Sequence, residues 1–398
     1  MKTILLSAFT TLLIIAQPTG LYAFGRIKEE RKSFTEEQMI QKSNEFGFKV
    51  FRNTAGDGNV LESPISLSIA LSMAAGGAAN KTEQCMVESL GFKNFTAEEI
   101  GMFYKGVVKQ LSQADSLTGL NLVNSIWADK KVDVKDYFVK YAAENFSATV
   151  KNADFSNPST VREINQWCAG QTNGKIDRIL ENTSPDLVMA LLNAVYFHGN
   201  WNFKFNETSW GDFTDVDGKM SRIDIMYTDQ RLKYSENDKF RMVELPYGNG
   251  KFVMDVLMVK NNDEFTHYVK ALDSAVWEEL CSNLKPRQIS LGLPKFSMEY
   301  DTSLDETLKK LGMGIAFNPE ADFSKMSDSP LAIGLVKQKT HIDVMEKGTE
   351  AAAISVVGMV FTSSGPVEMT EFIVDRPFIF AIRERGTGAI LFLGQKTR

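Results

Sequence analysis

The chain has 398 residues, 43% of them hydrophobic and 24% charged, so a sizeable core can form and global disorder is not expected. Its formal charge is −6 and its Lys and Arg residues are scattered, which argues against nucleic acid or an anionic membrane as partner. No Pro/Ser/Gly-rich spacer, repeat or low-complexity block divides it. One large domain is therefore expected, although the length would allow two or three.

In chain order, the first signal is a basic Lys2, an apolar run over 4–16, then Pro18, Gly20 and Ala23. This reads as a secretory signal peptide over 1–23, cleaved after Ala23 and too short for a stop-transfer helix. The alternative is an uncleaved anchor. No cysteine follows the run, so a lipoprotein anchor is not indicated. Secretion is expected, to the periplasm if the source is bacterial.

Thr35-Glu36-Glu37-Gln38 fits a capping box, and Met39, Phe46, Val50 and Phe51 supply the apolar positions of an amphipathic helix. Ser63-Pro64 is a second start signal, an N-cap followed by proline at the first helical position. The helix predicted over 64–75 carries Ile65, Leu67, Ile69, Leu71 and Met73 among Ser and Ala. It is apolar nearly all round and belongs under a sheet.

The stretches 120–128 and 186–197 read as long strands buried on both faces, with helical spacing over 132–145 and 160–171 between them. Further strands are predicted over 252–259, 289–293 and 373–382, with turns at Gly248-Asn249-Gly250 and Gly386-Thr387-Gly388. The mixture is α+β, with large sheets and helices gathered on one side.

Cys85, Cys168 and Cys281 are odd in number and widely spaced, which suits buried free thiols rather than a disulfide framework or a metal site. Asn80, Asn94, Asn145, Asn182 and Asn206 head N-x-S/T sequons, which carry glycans only in a eukaryotic secretory pathway. His198, His267 and His341 lie in no triad or zincin motif, and there is no nucleophile elbow, P-loop or dinucleotide fingerprint. The expectation is a protein that is not an enzyme and needs no metal or cofactor.

The stretch that most needs a special explanation begins Glu346-Lys347-Gly348-Thr349-Glu350-Ala351-Ala352-Ala353-Ile354-Ser355 and continues to Pro377. It has too little bulk for a core helix and too few charges for a solvated linker. As a strand it would show Thr349, Ala351, Ala353 and Ser355 on one side, all small enough to slide beneath a sheet. Glu350, Ala352, Ile354 and Val356 would show on the other.

This pattern resembles the hinge of the reactive-centre loop in the serpins, a family of protease inhibitors. Phe372 to Ile382, running through Asp375-Arg376-Pro377, is similar to the family's C-terminal signature, and Ala389 to Gly394 to its last buried strand. Asn59-Val60-Leu61-Glu62-Ser63-Pro64-Ile65-Ser66 and Asn193 to Trp201 resemble two further blocks, and all four occur in the expected order. The resemblance covers residues 34–398 as one domain. It implies the serpin fold, three β-sheets with about eight to nine helices and an exposed reactive-centre loop at about 346–371.

The same resemblance implies a suicide inhibitor of serine, or cysteine, endopeptidases. The target protease is bound covalently as an acyl-enzyme, and insertion of the cleaved loop into a five-stranded sheet traps it. The scissile bond falls at Thr362-Ser363, with Met359, Val360 and Phe361 as alternatives, since the loop looks a few residues longer than common. From Gly348 to Asp375 there is no Lys or Arg, which points to an elastase-, chymotrypsin- or subtilisin-like target rather than a trypsin-like one. Ser63, Ser66 and Asn193 match the cluster where the sheet opens, with Gln338 in place of the family's histidine. Trp201 and the pair Glu346 with Lys295 match the point where insertion begins. Lys81, Lys93, Lys105 and Lys109 are too sparse for heparin-type activation, and a monomer is expected. The alternative is a non-inhibitory serpin acting as carrier, chaperone or storage protein.

Overall fold

A computed structural model describes residues 35–349 and 368–398. The signal-peptide region 1–23 lies outside the described residues. So do Glu350, Ala351, Ala352, Ala353 and Ser355 of the hinge and every candidate for the scissile bond: Met359, Val360, Phe361, Thr362 and Ser363.

The described helices are α1 (Glu36–Thr54), α2 (Pro64–Gly77), α3 (Asn80–Ser89), α4 (Ala97–Gln113), α5 (Asp136–Phe146), α6 (Ser159–Gln171), α7 (Phe265–Ala271), α8 (Ser274–Ser282) and α9 (Asp305–Leu308). The strands are β1 (Val60–Glu62), β2 (Thr118–Asp129), β3 (Thr149–Ala153), β4 (Met189–Asn200), β5 (Glu207–Thr214), β6 (Met220–Glu236), β7 (Phe240–Pro246) and β8 (Phe252–Val259). They continue with β9 (Lys285–Pro294), β10 (Phe296–Ser303), β11 (Leu335–Val344), β12 (Gly348–Thr349), β13 (Thr370–Ile373), β14 (Phe378–Glu384) and β15 (Ile390–Lys396).

The central sheet runs β10-β11-β4-β2-β3, with the two-residue β12 added to β4. The remaining strands run β1-β15-β14-β8-β7-β6-β9-β13, with β5 on β6. Two of the three expected sheets are therefore continuous. The cause is β6, which pairs with β5 and β9 along most of its length and with β7 at its C-terminal end.

Every residue of α2 is buried, as a sequence apolar nearly all round and otherwise small requires. It packs against β2 and β4 of the central sheet and β15 of the other, so it is the wedge between the two layers. Thr35 caps α1 with both bonds of a capping box. Ser63 sits at the N-cap of α2 with extended backbone, but its hydroxyl makes no capping bond. Pro64 at N1 leaves one fewer N–H to satisfy at this helix start.

Three other expectations change. The strand predicted over 373–382 is two strands in different places: β13 pairs with β9, and β14 lies between β8 and β15. Pro377 cannot donate to a ladder, and the bend before it carries the chain from one partner to the next. The helix predicted from 132 begins only at Asp136, because Val134 forms a bridge with Ser327 first. Of the three free thiols, Cys168 is buried, whereas Cys85 and Cys281 are partly exposed.

Candidate functional site

The site is the seam between β4 and β11. These strands run parallel, from Leu335 opposite Ala190 to His341 opposite Tyr196. Both outer neighbours, β2 on β4 and β10 on β11, are antiparallel. A strand that turns back from the end of β11 must run antiparallel to it, and therefore antiparallel to β4 as well. The chain makes that turn at Met345–Gly348, and β12 pairs Gly348 with Asn200 and Thr349 with Gly199. Gly348 and Thr349, which belong to the expected hinge, lie at the head of the seam.

Gly348 makes this approach sterically allowed. Its φ is +134°, and a Cβ there would fall 2.1 Å from the Gly199 carbonyl oxygen and 2.4 Å from Asn200 Cα. Thr349 is fully buried, its hydroxyl hydrogen-bonded to that of Tyr247 at 2.8 Å. Tyr247 is in turn stacked on Trp201, with ring centroids 4.3 Å apart and planes 14° from parallel, and meets Phe197 edge-on at 5.1 Å. Burial pushes the Tyr247 phenol well above its usual range, so the hydroxyl stays protonated and able to bond.

Trp201 also fixes the turn. Its backbone N–H donates to the Lys347 carbonyl at 3.0 Å, and its indole Nε1–H to the Met345 carbonyl at 2.9 Å. Glu346 Oε1 accepts from Lys295 Nζ at 3.2 Å and from Thr208 Oγ1 at 3.1 Å. Its carboxyl lies below the usual range, first because its own backbone N–H bonds to it and then because of Lys295 and Thr208. Both ends of the ion pair are about a third exposed, so it contributes about 0–1 kcal/mol and serves mainly to place the chain.

Halfway down the seam lies a buried polar row on three adjacent strands: Gln338, Asn193 and Asn124 are register partners. Gln338 Nε2 donates to Asn193 Oδ1 at 2.6 Å, and Asn193 Nδ2 donates to Asn124 Oδ1 at 2.7 Å and to Ser66 Oγ on α2. Gln338 also brackets the Ser63 backbone, accepting from its N–H at 2.8 Å and donating to its carbonyl at 3.2 Å. The structure thus brings Ser63, Ser66, Asn193 and Gln338 together, although Ser63 takes part through its main chain. Its hydroxyl has no partner among the described residues.

Reasoning from the sequence missed Asn124, Tyr247 and Thr208. Asn124 left only a weak trace, an amide in a mostly apolar strand that also holds Asn121 and Ser125. Tyr247 and Thr208 left none, being more than 100 residues from the hinge they touch.

The chain matches the serpin (serine protease inhibitor) family over residues 41–398. It belongs to the serpin family. This serpin is 31% identical to Iripin-2 of Ixodes ricinus, across 90% of this chain and 93% of that protein. The crystal structure of the thermophilic serpin tengpin in its native state superposes with a TM-score of 0.85 at 33% identity, covering 92% of this chain and 95% of that one. Human thyroxine-binding globulin in complex with its hormone superposes at 0.84 with 26% identity, covering 91% and 98%. Serpins are generally protease inhibitors rather than enzymes, and the fold of this serpin is theirs.

Proposed function

We propose that this serpin traps a serine endopeptidase, or a cysteine one, by inserting its cleaved loop between β4 and β11. The observation that carries this reading is the place of Thr349, buried beneath the sheet and already in register with β4. Continued in that register, Ala351 would stand against Phe197, Ala353 against Val195, Ser355 against Asn193 and Met359 against Met189. The span is about 35 Å at roughly 3.3 Å per residue. Thr349, Ala351, Ala353 and Ser355 share one side of such a strand, and none adds charge or bulk to the core there. A carrier, chaperone or storage serpin has no need of that restriction.

In the proposed reaction the protease nucleophile attacks a carbonyl in the loop, forming an ester or thioester to the N-terminal part and releasing the C-terminal part as the amine. The freed strand enters the sheet and carries the tethered protease with it. Deacylation stops because an oxyanion hole and triad pulled out of line lose their catalytic geometry. The bond at Thr362-Ser363, or one nearby after Met359, Val360 or Phe361, has no cation for a trypsin-like pocket, so an elastase-, chymotrypsin- or subtilisin-like enzyme is the target. The basic and apolar stretch over 1–23 supports secretion, to the periplasm if the source is bacterial, and the reading takes the protein as a monomer with no cofactor and no heparin requirement.

The test is incubation with elastase, chymotrypsin, subtilisin, trypsin and a papain-like protease, followed by denaturing electrophoresis and mass mapping of the cut. A denaturant-resistant complex with one of the first three is expected, and the nicked inhibitor should melt well above the intact one. Cleavage without complex by every protease, or equal melting of nicked and intact forms, overturns the reading.

A further inference from the structure

On the inner side of the seam, β1 ties the two sheets together. It pairs with β15 in one of them, Val60 opposite Gln395 and Glu62 opposite Leu393. It also holds β11 of the other: Thr340 Oγ1 donates to the Leu61 carbonyl at 2.7 Å, and the Gln338 amide brackets the Ser63 backbone. Glu62 stands between the two residues so held. Residues two apart on a strand share a face, so Glu62 and Gln395 occupy diagonal positions on one face of the β1–β15 pair, within reach of long side chains. Both are buried, and neither Glu62 Oε1 nor Gln395 Oε1 has a partner among the described residues. Turning the amide over would not help. Its Nε2 donates to the Gly56 carbonyl at 2.8 Å and to the Gly58 carbonyl at 2.7 Å, which uses both its hydrogens and fixes Oε1 as the unpaired end. Two buried acceptors on neighbouring strands need a donor, and a protonated carboxyl is the one form of this pair that supplies it.

We propose that Glu62 and Gln395 hold one proton between them, the carboxylic acid donating to the amide oxygen and so fastening β1 to β15. Tyr300 is the titratable group facing Glu62 from β10, its phenol raised by burial and then by Glu62. Thr54 of α1, Leu393 of β15 and Thr340 of β11 do not titrate, and no cation is paired with Glu62 among the described residues. Desolvation raises the Glu62 carboxyl to about 7, with Thr54 drawing it the other way. An opened form in which Glu62 reaches water has the ordinary value of 4.5, so the fastening is at full strength below that pH and lost by about pH 7. Without the proton, a bare carboxylate lies against an amide oxygen. β1 is then pushed from β15, and its ties to Gln338 and Thr340 slacken. The inner clasp on the seam is therefore tight in acid and weakens as pH rises. This is a property of the intact fold and stands whether or not the loop traps a protease.

The experiment compares the full chain with Glu62→Gln and Gln395→Met variants by infrared difference spectroscopy and hydrogen exchange from pH 5 to pH 8. Wild type should show a protonated-carboxyl band that fades near pH 7 and is missing from Glu62→Gln. Protection of the amides at 60–63 should fall about a hundredfold across that range in wild type, since one linked proton changes an equilibrium about tenfold per pH unit. In Glu62→Gln it should stay level, because the new amide donates to Gln395 at every pH. Gln395→Met removes the acceptor, so the band should fade about one pH unit lower. The absence of any band that Glu62→Gln removes, or protection curves that run parallel, overturns the proposal. So does an unchanged midpoint in Gln395→Met, which would mean that burial alone holds the proton.

Discussion

Gln338 donates to Asn193 at 2.6 Å across the parallel β4–β11 seam, and Asn193 passes the chain of bonds on to Ser66 and Asn124. All four side chains are buried. A strand entering the seam must break the first of these bonds, while the other two can survive because β2, β4 and α2 lie on the same side of the opening. Asn193 is thus the hinge pin of the polar row. In the proposed register Ser355 would arrive opposite it, bringing a hydroxyl to replace the amide that departs.

Asn193→Ala removes one partner from each of Gln338, Ser66 and Asn124 while leaving them buried. The expected loss of stability is about 2–3 kcal/mol, since stranded buried polar groups lose their full desolvation energy. The seam should also part more readily, so inhibitory activity should decay faster at elevated temperature. Denaturant melts and activity half-lives check both effects. Wild-type values in both would mean the row does not hold the seam.

Thr349→Arg places a cation where the native chain buries a hydroxyl against Tyr247. The hinge cannot keep that position with an unpaired charge, and insertion would have to bury the same charge. The variant should be cleaved as a substrate, with a stoichiometry of inhibition several times that of wild type. Trapping at the wild-type ratio would show that insertion past Thr349 is not the trapping step.

Glu62, one residue before Ser63, supplies a titration that the neutral Gln338 cannot. It is 2% exposed, its Oε1 has no partner among the described residues, and desolvation pushes its pKa to about 7 despite some help from Thr54. Tyr300 on β10 is the titratable neighbour it acts on, and its phenol is raised by burial and then by Glu62. A carboxyl whose folded pKa is raised stabilises fully below its unfolded value, and that contribution is lost as pH rises from about 4.5 to about 7. Glu62→Gln should therefore flatten the fall in stability over that window. It should leave the protein more stable above pH 7 by about 3 kcal/mol, from roughly 1.36 kcal/mol per pH unit. Melts of both proteins at pH 5, 6, 7 and 8 decide it: parallel curves would rule the effect out.

Much of the site could be read along the chain because it is local. Gly348 and Thr349 stand beside each other, Ser63-Pro64 announces the start of a helix apolar nearly all round, and the small residues of the hinge alternate at strand period. The break at Pro377 shows the limit. Proline marks an interruption, yet nothing nearby says that β13 and β14 serve different partners, β9 and β8, more than 80 residues upstream. Sheet continuity is similar. No strand was expected over 220–236, and that β6 joins two sheets depends on which edges meet.

What the amino-acid order determined alone was the set of pieces: small residues that can pass under a sheet, a proline-started helix with no polar face, and a capping box before another. These follow from side-chain size, backbone freedom and hydrophobic period, which act within a few residues. Tertiary structure decided the relations: that β4 and β11 run parallel, that Gln338, Asn193 and Asn124 fall in one row, and that Tyr247 waits beneath Thr349. Pairing register and packing between segments 100 or more residues apart are set by the whole chain closing on one core, and no local stretch carries that information.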